Sequence, residues 1–156
     1  MEQRINLAGA GQGVLKTMLG LEAYLSKSGL EKSLLMLLDF RVSQINGCAY
    51  CLDMHSKDLR AAGETEQRLY LLDAWRESPF YTERERAALA WAEAVTLVRE
   101  GHVPDDVFEQ ARAQFSEEEL MNLTLAVVAI NGWNRFNIAF RTEPGSYKPG
   151  AWHAAA

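Results

Sequence analysis

From about residue 14 to residue 140 the apolar residues of this chain recur at the three-to-four-residue spacing of a helix, and no stretch alternates as a strand does. That pattern restricts the chain to an all-α fold. After a Gly-rich segment, Gly9 to Gly13, expected to be flexible, Val14, Met18, Leu21 and Leu25 form one stripe, which Gly29 stops. Between Glu31 and about Asn46, Leu34, Leu38, Val42 and Ile45 mark one side and Met36 with Phe40 another. A helix apolar on several sides is buried in its domain or in an oligomer contact. A third helix runs from about Cys48 to Ala62 and closes at Gly63; Thr65 to Trp75 reads as a fourth. Thr82 with Glu85 is a capping box opening a helix to about Glu100, broken by Gly101 and His102. Pro104 starts a short helix through Arg112, and Ser116 with Glu119 caps the last and most apolar helix, to about Phe140.

The expectation is therefore one domain over residues 1–156, a helical bundle of about six to seven helices with an irregular tail from about residue 141. Pro144, Gly145, Pro149 and Gly150 give that tail its character, and such a segment either wanders or straps onto a neighbour. With 156 residues and 48% hydrophobic content the chain can bury a real core. A net charge of -5 argues against nucleic acid or an anionic membrane as partner, since both call for a basic field. The run Leu120 to Ile130 is about half of the roughly 20 residues that a membrane span needs. The first residues lack the basic start and apolar core of a secretory signal, so the expected location is cytoplasmic.

Both cysteines and one of the three histidines fall in the stretch from Ile45 to His55, as Cys48-x-x-Cys51-x-x-x-His55. On a helix, Cys51 and His55 lie at roughly 300° and 340° from Cys48, an arc of about 60°. Leu52, Leu59 and Ala62 continue this arc and Asp53, Ser56, Lys57 and Arg60 oppose it, so the reactive groups face inward and a substrate needs a crevice to reach them. A cysteine in the first turn of a helix is favoured as thiolate, an effect acting mainly on Cys48. His55, one turn after Cys51, is placed to take or relay its proton. Two such thiols can reduce a peroxide through a sulfenic acid that resolves to a disulfide. Three readings compete with redox chemistry on spacing alone: a zinc site, for which Cys48, Cys51 and His55 supply three of four ligands; two thiols packed as core residues; and a thioredoxin-like site, which the lack of a βαβ pattern opposes. His102 and His153, in a loop and the tail, do not complete a ligand set, and no cofactor is expected.

Residues 41–97, RVSQINGCAYCLDMHSKDLRAAGETEQRLYLLDAWRESPFYTERERAALAWAEAVTL, and residues 129–141, AINGWNRFNIAFR, resemble the alkylhydroperoxidase D-like branch of the carboxymuconolactone decarboxylase superfamily. The resemblance implies an all-helical bundle assembled as a homo-oligomer (dimer, trimer or hexamer) and a thiol-dependent peroxidase that acts on a small hydroperoxide with a thiol or dithiol reductant. Cys48, Cys51 and His55 match the family's catalytic redox pair and proton-relay histidine. The decarboxylase branch lacks this pair, which disfavours lactone chemistry. The relay glutamate, twelve residues before the first cysteine, is replaced by Met36, which cannot accept a proton. Glu93, interrupting the apolar run Ala87 to Val98, is a candidate substitute, and Asp39 a weaker one.

Other features read mainly as structure. Trp75, Trp91 and Trp133 are expected in the core or an interface, and Trp152 as an anchor against a partner subunit. Asn131, Asn134 and Asn137 need hydrogen-bond partners if buried, from neighbouring backbone or from the active-site histidine. Arg84 and Arg86 are expected on a solvated face. Proximity to His55 favours Cys51 as the attacking thiol and Cys48 as the resolving one, whereas helix-end stabilisation favours the reverse. Beside peroxide reduction stand a protein-disulfide reductase or redox sensor, and a non-enzymatic oligomeric binding module in which Met36 marks lost catalysis.

Overall fold

The computed structural model describes residues 2–151, and within them the fold is all-helical. Nine α-helices follow in order: α1 (Leu7–Ala10), α2 (Gln12–Leu25), α3 (Lys32–Asn46), α4 (Ala49–Ala61), α5 (Glu66–Leu71), α6 (Glu83–Thr96), α7 (Val98–Gly101), α8 (Asp105–Gln114) and α9 (Glu117–Phe140), with a 3-10 turn at Leu72–Ala74. The expected count of six to seven is thus low, for two local reasons. The Gly-rich segment is helical because the Asn6 side chain caps it, accepting from the N–H groups of Ala8 and Gly9. The helix opened by Thr82 divides at Leu97, where Val95, Thr96 and Val98 put three stiff β-branched side chains into four positions. Both capping boxes form, Thr82 with Glu85 and Ser116 with Glu119.

α3 is the centre of the bundle, packed against α4, α6 and α9. Its two apolar sides enter two cores. Leu34, Leu38 and Val42 join α6 and α9 in the larger core, which contains Trp91, Leu123 and Val127. Leu37 and Phe40 join Leu59, Leu69, Leu72 and Trp75 in the smaller, with Met36 and Leu52 packed against it. Trp133 packs on the larger core with Nε1 donating to Glu22 (2.8 Å), while Trp152 and His153 lie outside the described residues. Among the described residues no helix is long and apolar enough to cross a membrane.

Arg84 and Arg86 are half-buried linkers and not a solvated face. Arg84 joins Glu31 (2.8 Å) to Glu119 (2.6 Å) and lies over the Phe115 ring, and Arg86 donates to the carbonyls of Tyr81, Trp75, Arg76 and Ser78. Their long stems let charged heads reach partners on other elements, which helical spacing cannot show.

Candidate active site

The cysteine pair sits at the junction of α3 and α4. Gly47 adopts φ 66°, a left-handed value that ends α3 and turns the chain sharply. The N–H of Cys48 then donates to the Ser43 carbonyl (3.1 Å), and Cys48 becomes the N-cap of α4, its Sγ accepting from the N–H of Cys51 (3.4 Å). Cys48 and Cys51 are joined as a disulfide within this first turn, their Cα atoms 5.3 Å apart. Both are sealed from solvent, at 1% and 0% exposure, while Gly47 and Ala49 beside Cys48 are exposed. The arc reading therefore holds for Cys48, Cys51, Leu52 and Leu59, and fails at Ala62, which is exposed where α4 ends.

Three asparagines of α9 approach this junction. Asn46, two residues before Cys48, donates to the side-chain oxygens of Asn131 (3.0 Å) and Asn134 (2.8 Å). The fully buried Asn134 donates to Ser43 Oγ (3.0 Å), and Asn131 reaches Thr96 Oγ1 (3.0 Å). One turn further along α9, Asn137 Nδ2 donates to Cys51 Sγ (3.4 Å). These interhelical bonds run to side chains and not to a neighbouring helix's backbone, and His55 is not among the partners.

His55 follows one turn after Cys51, its Nε2 buried without a hydrogen-bond partner. Burial pushes the imidazole down from 6.5 to about 4, only partly offset by the Asp58 carboxylate three residues on. The ring is neutral at physiological pH. Neither expected carboxylate replaces the missing relay group. Glu93 accepts from Arg41 Nε (2.8 Å), Trp75 Nε1 (2.8 Å) and Arg76 Nη1 (2.5 Å); burial pushes its carboxyl up, but these donors hold it below the usual range. Its network, with Arg41 also paired to Asp73, braces α3 against α6. Asp39 is turned toward α2, where burial and the Glu22 carboxylate raise its pKa well above the ordinary value.

The tail straps onto α4 of its own chain. Lys57 Nζ donates to the carbonyls of Gly145 (3.1 Å) and Tyr147 (3.2 Å), and the N–H of Gly145 donates to Asp53 Oδ2 (2.9 Å). Tyr147, itself buried, donates its hydroxyl to the Asp58 carboxylate (2.8 Å), which also accepts from the N–H of Gly150 (3.2 Å). Burial and the Asp58 charge together hold the Tyr147 phenol protonated well above its ordinary value. The expected polar face of α4 is thus largely covered. Sequence spacing gave no signal for a contact between residues 58 and 147, whereas Asn137 was legible as a polar residue in an apolar helix.

Two open hollows lie elsewhere on the surface. One, of about 260 Å³, is bordered by Arg76, Glu93, Leu97 and Val107, and the other by Glu66, Gln67, Tyr70 and Leu71; neither touches a cysteine. Among the described residues no group of three or more His, Cys, Asp or Glu is arranged to hold a metal ion.

Comparison with known proteins agrees with this architecture. Residues 12–94 match the carboxymuconolactone decarboxylase family. The chain is 40% identical over 146 residues to the uncharacterised protein YdfG of Bacillus subtilis (strain 168), spanning 94% of this chain and 99% of that one. Over 41 residues, 26% of this chain and 23% of the other, it is 49% identical to the alkyl hydroperoxide reductase AhpD of Mycobacteroides abscessus. The crystal structure of ATU0492 from Agrobacterium tumefaciens, a protein of unknown function with a suggested identity as the antioxidant defence protein AhpD, superposes with a TM-score of 0.89 at 47% identity, covering 94% of this chain and 100% of that one. Given a matching family, a full-length relative and a closely superposing structure, the chain belongs to the carboxymuconolactone decarboxylase family, in its alkylhydroperoxidase D-like branch.

Proposed function

We propose that this protein is a thiol-dependent peroxidase of small hydroperoxides, with Cys48 and Cys51 as its redox pair and His55 as its proton carrier. The observation that carries the reading is the disulfide within the first turn of α4, one turn before a neutral imidazole. In the reduced protein a thiolate attacks the terminal oxygen of the hydroperoxide. An S–O bond forms, the O–O bond breaks, and the alkoxide leaves as alcohol after taking the thiol's former proton. The second thiol attacks the sulfenic sulfur, forms the disulfide and releases water. Two thiols have then lost two electrons to the peroxide, and an external thiol or dithiol restores them. The suggested AhpD identity of ATU0492 supports this assignment. A cytoplasmic homo-oligomer is the setting that accompanies it.

The test is peroxide consumption by purified protein supplied with a dithiol and an organic hydroperoxide. Cys48→Ser and Cys51→Ser should each abolish turnover, and turnover unchanged by either substitution would falsify the reading. A second reading, reduction of another protein's disulfide, draws on the unpartnered Nε2 of His55, since thiol–disulfide exchange requires no carboxylate relay. Turnover with a protein or lipoyl disulfide exceeding turnover with peroxide would favour it.

A further inference from the structure

His55, held near pKa 4, can pass on a thiol's proton but does not keep it, so a lasting thiolate beside it draws on other groups. Stabilisation must then come from donors to the sulfur itself. At Cys48 the donor is the N–H of Cys51, a group fixed by the helix and available to any N-cap residue. At Cys51 the donor is Asn137 Nδ2, delivered by α9 from 86 positions away in the sequence. This contact is built into the fold. Asn134, one turn earlier on α9, is fully buried and locked to Ser43 and Asn46, so the register of α9 against the α3–α4 junction is fixed next to the sulfur.

We propose that Asn137 is a catalytic residue, whose side-chain amide stabilises the thiolate of Cys51, the sulfur that proximity to His55 favours for the attack, and stabilises it again when Cys51 leaves on reduction. The assignment rests on the peroxidase reading for the attack, but the effect on the thiolate does not depend on any peroxide. It also divides the work of the pair. When a reductant's thiolate attacks Cys48 Sγ, a new S–S bond forms, the Cys48–Cys51 bond breaks, and Cys51 departs as the thiolate that Asn137 holds. The reductant's second thiol then displaces Cys48. The titratable groups on and beside the turn include Tyr50, His55 and Asp58 of α4 and Tyr147 of the tail. Asp53 and Lys57 are engaged with each other and the tail, and α3 and α9 bring the uncharged Ser43, Asn46, Asn134 and Asn137.

The test uses the full chain carrying Cys48→Ser, so that Cys51 titrates alone and serine keeps an N-cap oxygen at position 48. Thiolate absorbance followed against pH should give a Cys51 midpoint that rises by about one unit on adding Asn137→Leu, as expected for losing a hydrogen bond to a charged group. Asn137→Asp, of the same shape but bearing a negative charge, should raise it further. At neutral pH the rate of Cys51 oxidation by an organic hydroperoxide should fall about tenfold with Asn137→Leu. A role only in packing would leave the titration unmoved, and midpoints within about 0.3 unit of the parent in both variants overturn the proposal. A measurement without substitution at Asn137 guards against misfolding. The side-chain amide resonances of Asn137 should shift through the Cys51 titration with the same midpoint, and resonances that do not respond overturn it as well. Failure of peroxide to oxidise Cys51 while Asn137 still sets the midpoint counts against the peroxidase reading alone.

Discussion

Acid should destabilise this protein through His55 more than through any surface histidine. In the unfolded chain the imidazole binds a proton below its ordinary value of 6.5, whereas in the fold burial delays this to about 4. Between these values the unfolded state holds more protons, so stability is complete above 6.5, falls as pH drops toward 4, and changes no further through this group below that. The interval corresponds to roughly 3 kcal/mol, and solvent reaching the half-buried ring trims this to about 2–3. For a domain of this size that is a substantial share of total stability. The perturbation is His55→Gln, which removes the titration at similar volume. Urea unfolding of the oxidised parent and variant at several values between about pH 7 and about pH 4, at one protein concentration, gives two stability profiles. Carboxylate contributions are shared and drop out of the difference. The parent should lose about 2–3 kcal/mol relative to the variant over this range. Parallel profiles would show that the imidazole is not desolvated, and the argument for a neutral, weakly basic His55 would collapse.

Restoring a carboxylate by Met36→Glu should raise the His55 protonation midpoint from about 4 back toward or above 6.5 and increase peroxide turnover; imidazole resonances that still titrate near 4 would mean position 36 does not reach the ring. Tyr147→Phe removes the donor to Asp58 at 2.8 Å and should cost about 1.5–3 kcal/mol in urea unfolding, with faster proteolysis of the tail, whereas a loss below about 0.5 kcal/mol would show that the strap contributes little.

Much of the fold was written in local order. The capping boxes at Thr82 and Ser116, the glycine at 63, and the two apolar sides of α3 each act within a turn or two of chain, and each appears where spacing places it. Local order also carried the arc of Cys48, Cys51 and His55, because a helix fixes the relation of residues three and seven apart. The errors came where one side chain outweighs a pattern, as when Asn6 makes a helix of a Gly-rich segment. Glu93 shows a different limit: its interruption of an apolar run was visible, but its partners Arg41, Trp75 and Arg76 come from two other elements and turn it into a brace.

The sequence by itself determined that this chain is helical and that two thiols and an imidazole share one face, and its resemblance to the family set Met36 where a proton acceptor is expected. Tertiary structure alone decided the electrostatics of that face. Which asparagine meets which sulfur and which carboxylate the tail engages are set by groups 86 to 92 residues apart, how far the histidine is desolvated is set by the packing around it, and free energies of burial and hydrogen bonding depend on that assembled surrounding rather than on spacing along the chain.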